Sequence, residues 1–189
     1  MALTPSNMLP LGTPARAFML PATDGTTCSL QEFADKKLLL VMFICNHCPF
    51  VKHIKQALVT LAHDFMPRGV GIVAINSNDI VAYPSDSMDN MKLEVASSGY
   101  PFPYLLDESQ HVAKAYDAAC TPDFFLFDSA RKLVYRGQLD DSRPNNGIAV
   151  TGADLRAALQ AALVGAPPSV QQTPSMGCNI KWRAGNAPV

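Results

Sequence analysis

Residues 38–65 read LLLVMFICNHCPFVKHIKQALVTLAHDF, and this stretch decides the fold. Leu38 to Ile44 is apolar at every position, as a strand buried on both faces requires. From Phe50 the pattern changes. Phe50, Val51, Ile54, Ala57, Leu58, Leu61 and Phe65 recur at three- and four-residue steps, with Lys52, His53, Lys55, Gln56 and His63 between them. That is an amphipathic helix with one solvated face. At the junction stands Cys45-Asn46-His47-Cys48-Pro49, so a Cys-x-x-Cys pair sits where a buried strand turns into a helix.

That position has chemical consequences. A helix N-terminus offers unpaired backbone N–H groups and the positive end of the macrodipole, and both favour a thiolate. The thiolate is the species that attacks disulfides. Two intervening residues let the second sulfur close a disulfide with the first or resolve a mixed one. Cys45 is therefore the expected nucleophile, the more exposed sulfur, titrating below the free-thiol value of about 8.5. Cys48 is the expected resolving thiol, shielded by Ile44 and Val51. His47, with Asn46 the other intervening residue, is expected to tune the pair. An imidazole beside the Cys45 thiolate would stabilise the reduced form and raise the potential.

Working outward, Val70 to Ile75 is a second buried strand after the Pro67-Arg68-Gly69 break. Ser85 or Ser87 caps a helix carrying Met88, Met91 and Val95 inward, stopped near Gly99 and Pro101. Tyr104–Leu106 is a brief apolar segment and His111–Tyr116 a short helix. Phe124–Phe127 and Leu133–Tyr135 flank the turn Asp128-Ser129-Ala130-Arg131 as a hairpin. Thr151-Gly-Ala-Asp154 resembles a capping box for a helix to Leu163. The order β-α-β-α-β-β-α predicts an α/β domain with a mixed central sheet sandwiched by helices. One domain over 1–189 is expected, with a Pro-rich lead-in at 1–16 and a tail at 165–189.

The chain has 189 residues, 48% of them hydrophobic, and a formal charge of −1 from 15 Lys+Arg and 16 Asp+Glu. This balance asks for neither nucleic acid nor an anionic membrane as partner. The eight-residue apolar run from Leu38 to Cys45 is too short to span a bilayer. The N-terminal residues lack a basic start followed by an apolar stretch, so a cytoplasmic location is expected. Five cysteines without an export signal argue against a structural disulfide framework.

LLLVMFICNHCPFVKH is similar to the active-site strand and helix of the thioredoxin superfamily. YLLDESQHVAKAYDAACTPDFFLFD followed by KLVYRG resembles its peroxiredoxin-like, redoxin-domain branch. GCNIKW near the C-terminus resembles a bacterial thioredoxin-like subfamily. The resemblance covers roughly residues 10–183. It implies a thioredoxin-like fold, a nucleophilic Cys45 and a resolving Cys48. It also implies a cis Thr121–Pro122 bond whose backbone pairs with extended substrates. The substrates implied are protein or small-molecule disulfides and thiols, and no cofactor or resident metal is called for. The chain departs from thioredoxin in having Ile44 before the first cysteine and no acid in the preceding strand. Asp123 is the candidate to replace the missing proton acceptor.

Cys120, beside Thr121-Pro122, reads either as a third redox thiol or as a packing thiol. Cys178 is a candidate additional resolving thiol if the tail folds back. Cys28 lies among polar turn residues with no implied partner, and His53, His63 and His111 read as solvated. Two other functions stay open. One is a thiol peroxidase in which Cys48-Pro49 attacks first, although Cys45 stands where such enzymes place Thr and only Arg131, Arg136 and Arg143 offer the needed guanidinium. The other is a copper-binding protein using Cys45, His47, Cys48 and His53.

Overall fold

The computed structural model describes residues 3–166 and 169–188. The lead-in opens with β1 (Leu3–Pro5), followed by a hairpin of β2 (Met19–Pro21) and β3 (Thr27–Ser29). The apolar run forms β4 (Leu38–Phe43), and the periodic segment forms α1 (Pro49–Phe65). Next come β5 (Val70–Asn76), α2 (Met88–Ser98), β6 (Tyr104–Leu106) and α3 (His111–Ala115). The chain continues through β7 (Cys120–Thr121), β8 (Asp123–Phe127), β9 (Leu133–Gly137), α4 (Ala153–Leu163) and β10 (Met176–Asn179).

The main sheet has the order β6-β5-β4-β8-β9. β4 pairs parallel with β5 and antiparallel with β8, so the sheet is mixed. Strand alternation splits the central apolar run cleanly. Leu38, Leu40, Met42 and Ile44 join one core cluster with the inner faces of α1, α2 and α4. Leu39, Val41 and Phe43 join the other, with Phe18, Leu20 and residues of α3. All seven are at most 2% exposed, which is why no polar residue interrupts the run. On the second face Tyr116 stacks edge-on against Phe125 and Phe127, with ring centroids 5.8 and 5.9 Å apart.

Local signals explain the element ends. Ser87 caps α2 by accepting from the Asn90 amide, and Gly99 closes that helix in the left-handed region at φ 70°. The capping box expected at Thr151–Asp154 does not form. Gly152 is the N-cap, and Asp154 instead accepts from Gln138 Nε2 at 2.7 Å. Cys28 lies in a strand and packs in the second core cluster, where burial pushes its thiol up to about 11. This agrees with a thiol that has no redox partner. Among the described residues, no helix is long and apolar enough to cross a membrane.

Both ends of the chain are structured beyond what composition implies. β10 lies between β1 and β7 in a small antiparallel sheet, with Leu3 opposite Cys178 and Cys178 opposite Thr121. The lead-in also runs along the main sheet, its Gly12 and Ala15 amides donating to the Leu133 and Arg131 carbonyls.

Candidate active site

β4 delivers Cys45 two residues past its end, and α1 begins at Pro49. Cys48 is therefore the helix N-cap, with Pro49 at the first helical position, where its missing N–H costs nothing. The two cysteine side chains shift each other's titration in opposite directions. Thr121 closes the other side. Its hydroxyl is 3.4 Å from Cys45 Sγ, and its carbonyl oxygen accepts from Cys48 Sγ at 3.1 Å. The Thr121–Pro122 bond is cis.

The expectation that Cys45 is the exposed, acidic sulfur does not hold. Cys45 is 1% exposed and Cys48 0%. The hydrogen bond to Cys48, burial, and the nearby Asp86 carboxylate together push the Cys45 thiol well above its ordinary value. Cys48 moves the other way. The hydrogen bond from Cys45 is the main cause, and Cys178, Thr121 and the Val51 backbone add to it against the cost of burial. The helix start adds to this through the Val51 amide, which favours the Cys48 thiolate, Cys48 being the N-cap residue. The surroundings of Cys48 thus favour its thiolate over that of Cys45, and as a thiol it donates its S–H to the Thr121 carbonyl.

The intervening residues act through Asp86, which no motif in the chain singles out. This carboxylate is fully buried in the short turn Pro84–Asp86. It accepts from the Asn46 amide at 2.9 Å, His47 Nδ1 at 2.7 Å and Asn78 Nδ2 at 2.8 Å. Burial raises its pKa, but the bonds from His47 and Asn78 outweigh that and hold it below its ordinary value. Asn46 also donates to the Ser85 carbonyl at 2.9 Å and accepts from the Tyr104 hydroxyl at 3.1 Å. Asn46 thus fixes the loop rather than touching a sulfur. His47 is held between Asp86 and the stacked ring of Tyr83, 5.4 Å away.

Of the candidate extra thiols, Cys178 is brought to the pair and Cys120 is turned aside. Cys178 Sγ lies 3.1 Å from Cys48 Sγ. Cys120 points its sulfur to the Pro122 carbonyl at 3.5 Å and is pushed far up by burial and by Asp123. Asp123 itself accepts from the Ala119 amide at 3.2 Å, on the Cys120 side of the loop, and so is not placed as the proton acceptor of Cys48. The implied substrate edge is also filled. Thr121 is already paired with Cys178, and the Pro122 carbonyl accepts from Ser175 Oγ at 2.6 Å.

The Redoxin family model matches residues 10–155. The chain belongs to the Redoxin family. An uncharacterised conserved protein of Geobacillus kaustophilus is similar over 97% of this chain and 97% of its own, at 59% identity and a TM-score of 0.95. A hypothetical protein of Sinorhizobium meliloti is 55% identical, with 96% of this chain and 100% of that one covered and a TM-score of 0.95. A putative thiol:disulfide interchange protein of Chlorobium tepidum shares the thioredoxin-like fold at 21% identity and a TM-score of 0.65, over 82% of this chain and 99% of that one. No curated protein matches the chain.

In this redoxin the guanidiniums that a peroxidase would need are committed elsewhere. Arg131 donates to the Phe33 and Lys36 carbonyls, Arg136 to the Leu9 carbonyl and Gln172, and Arg143 to the Asp140 carbonyl and Gln138. For metal, donor atoms of Cys45, His47 and Asp86 lie within 4.8 Å of one another, a group that does not include His53. Its imidazole and carboxylate already bond each other at 2.7 Å, so the donor set is spent on positioning the loop. His53 is half-buried rather than solvated, and its Nε2 has no hydrogen-bond partner.

Proposed function

We propose that this protein is a thiol–disulfide oxidoreductase whose Cys45–Cys48 couple is poised on the oxidising side of thioredoxin. The observation that carries the reading is the place of Cys48 as the N-cap of α1, its Sγ 3.1 Å from Cys178 Sγ, in surroundings that lower its pKa. A disulfide is attacked most readily at the sulfur whose partner leaves best, and a low-pKa thiolate leaves best. An incoming substrate thiolate therefore attacks Cys45 Sγ and expels Cys48 as the stabilised thiolate. A second substrate thiolate then attacks the mixed disulfide, releasing oxidised substrate and reduced Cys45. In the reverse direction, Cys48 resolves a mixed disulfide held on Cys45. Stabilising Cys48 in the reduced form raises the potential of the couple.

Equilibration against a glutathione redox buffer tests the poise, with a midpoint expected above the value of about −270 mV typical of thioredoxin. Roles are read from trapping. Cys48→Ser should accumulate a substrate adduct on Cys45, and Cys45→Ser should accumulate none. A midpoint below that of thioredoxin, or an adduct that forms only on Cys48, would overturn the reading. In the second case, peroxide consumption by Cys48 becomes the activity to measure.

A further inference from the structure

The strand that fills the edge beside Pro122 carries a cysteine, and its placement is built rather than incidental. β10 pairs antiparallel with β7, with Cys178 opposite Thr121 and Asn179 opposite Cys120. The Ile180 amide donates to the Ala119 carbonyl at 3.1 Å, and Ser175 Oγ holds the Pro122 carbonyl at 2.6 Å, so the strand is anchored on both sides of Cys178. The preceding residue must be glycine. A Cβ at Gly177 would overlap the Thr121 carbonyl, with the carbonyl carbon 2.6 Å away and Pro122 N 3.1 Å away. Only backbone without a side chain passes this close, and that approach puts Cys178 Sγ 3.1 Å from Cys48 Sγ. An extended substrate would occupy such an edge by strand addition; here the chain supplies that strand, and its cysteine, itself.

We infer that Cys178 is a third redox thiol, which exchanges with the Cys45–Cys48 disulfide to form an internal Cys48–Cys178 disulfide. The inference rests on the dithiol reading above and extends it. Cys178 loses its proton and attacks Cys48 Sγ. Cys48 Sγ is the sulfur within reach, so contact rather than leaving-group quality selects it: the Cys48–Cys178 bond forms as the Cys45–Cys48 bond breaks, and Cys45 leaves as a thiolate that takes up a proton. The exchange conserves electrons and needs no oxidant beyond the substrate disulfide that first oxidised the pair. Cys48 is the common member of both disulfides because it alone touches both other thiols among the described contacts. The product holds the oxidised bond in the interior, since Cys48 and Cys178 are 0% and 3% exposed, and it returns Cys45 to the reduced state. The C-terminal strand thereby acts as a built-in substrate at the site.

Disulfide mapping tests this directly. Wild type and Cys45→Ser are equilibrated with 2-hydroxyethyl disulfide, quenched in acid, alkylated, digested and analysed by mass spectrometry. In Cys45→Ser the expected main product is the peptide pair joined through Cys48 and Cys178. Wild type should yield this pair together with the Cys45–Cys48 peptide, and Cys178→Ser should yield no Cys48–Cys178 link. If Cys45→Ser keeps Cys48 and Cys178 as separate thiols or small-molecule adducts while wild type forms Cys45–Cys48, the third-thiol role is wrong and the dithiol reading stands. If wild type forms no Cys45–Cys48 bond, the dithiol reading itself fails. Should Cys45→Ser not fold, as judged by circular dichroism, the wild-type digest decides. A Cys48–Cys178 peptide there supports the role, and its absence beside abundant Cys45–Cys48 overturns it.

Discussion

Replacing Asp123 with Asn should remove a loss of stability that the native protein suffers as pH rises. Asp123 is fully buried; its Oδ2 accepts from the Ala119 amide at 3.2 Å, while Oδ1 has no hydrogen-bond partner. Burial pushes the carboxyl from 3.8 up to about 7, against the opposing effect of Ser6 and the backbone amides of Ala119, Phe124 and Cys120. Between about pH 4 and 7 the folded protein keeps a proton that the unfolded chain has lost. Stability from this group therefore falls with rising pH through that window and levels off above it. At about 1.4 kcal/mol per pH unit, the gap from 3.8 to about 7 amounts to about 4 kcal/mol. Asn preserves an oxygen for the Ala119 amide and places its NH₂ where Oδ1 stands, beside the Ser6 hydroxyl. Urea unfolding of the reduced proteins should show the stability of the variant relative to wild type rising by about 3 kcal/mol between about pH 5 and about pH 8, the rest of the loss falling below about pH 5. A stability difference that does not change between those two conditions would refute the reasoning.

Three further outcomes follow from the same geometry. Gly177→Ala should destabilise by about 3 kcal/mol or more in guanidinium unfolding, because the new Cβ meets the backbone of Thr121 rather than a flexible side chain; a near-neutral result would mean β10 sits less tightly. Asp86→Asn should lower the Cys45 pKa by removing a negative charge beside it, read as a shift of the alkylation profile toward lower pH; an unchanged profile would show that the carboxylate does not act on that sulfur. Ser87→Ala should cost about 1 kcal/mol in thermal or denaturant melts through loss of the α2 cap, and leave the thiol titrations where they were.

Much of the scaffold was legible because local chemistry and global packing agree there. Leu38–Ile44 is uniformly apolar because both sheet faces are covered, and Pro49–Phe65 is periodic because only one helix face is. Ser87 and Gly99 announce the ends of α2 by capping chemistry that needs no tertiary partner. Thr121-Pro122 was readable only through family resemblance, since no local pattern distinguishes a cis from a trans bond.

What the sequence alone determined is the presence of a dithiol at a strand-to-helix junction in a mixed α/β sheet. The charge distribution within that dithiol was decided by tertiary structure. The side chains of Cys45 and Cys178, with the Val51 amide, favour the thiolate at Cys48, and Asp86, 41 residues after Cys45, adds negative charge on the Cys45 side. The fate of Cys178 was likewise invisible locally. It lies 130 residues from Cys48, in a Pro-rich tail with no strong strand pattern, and only its pairing with β1 and β7 brings the sulfurs to 3.1 Å. Propensity and periodicity report how a segment meets water and its own backbone. They carry no information about which distant strand completes a short edge, and in this protein that strand completes the site.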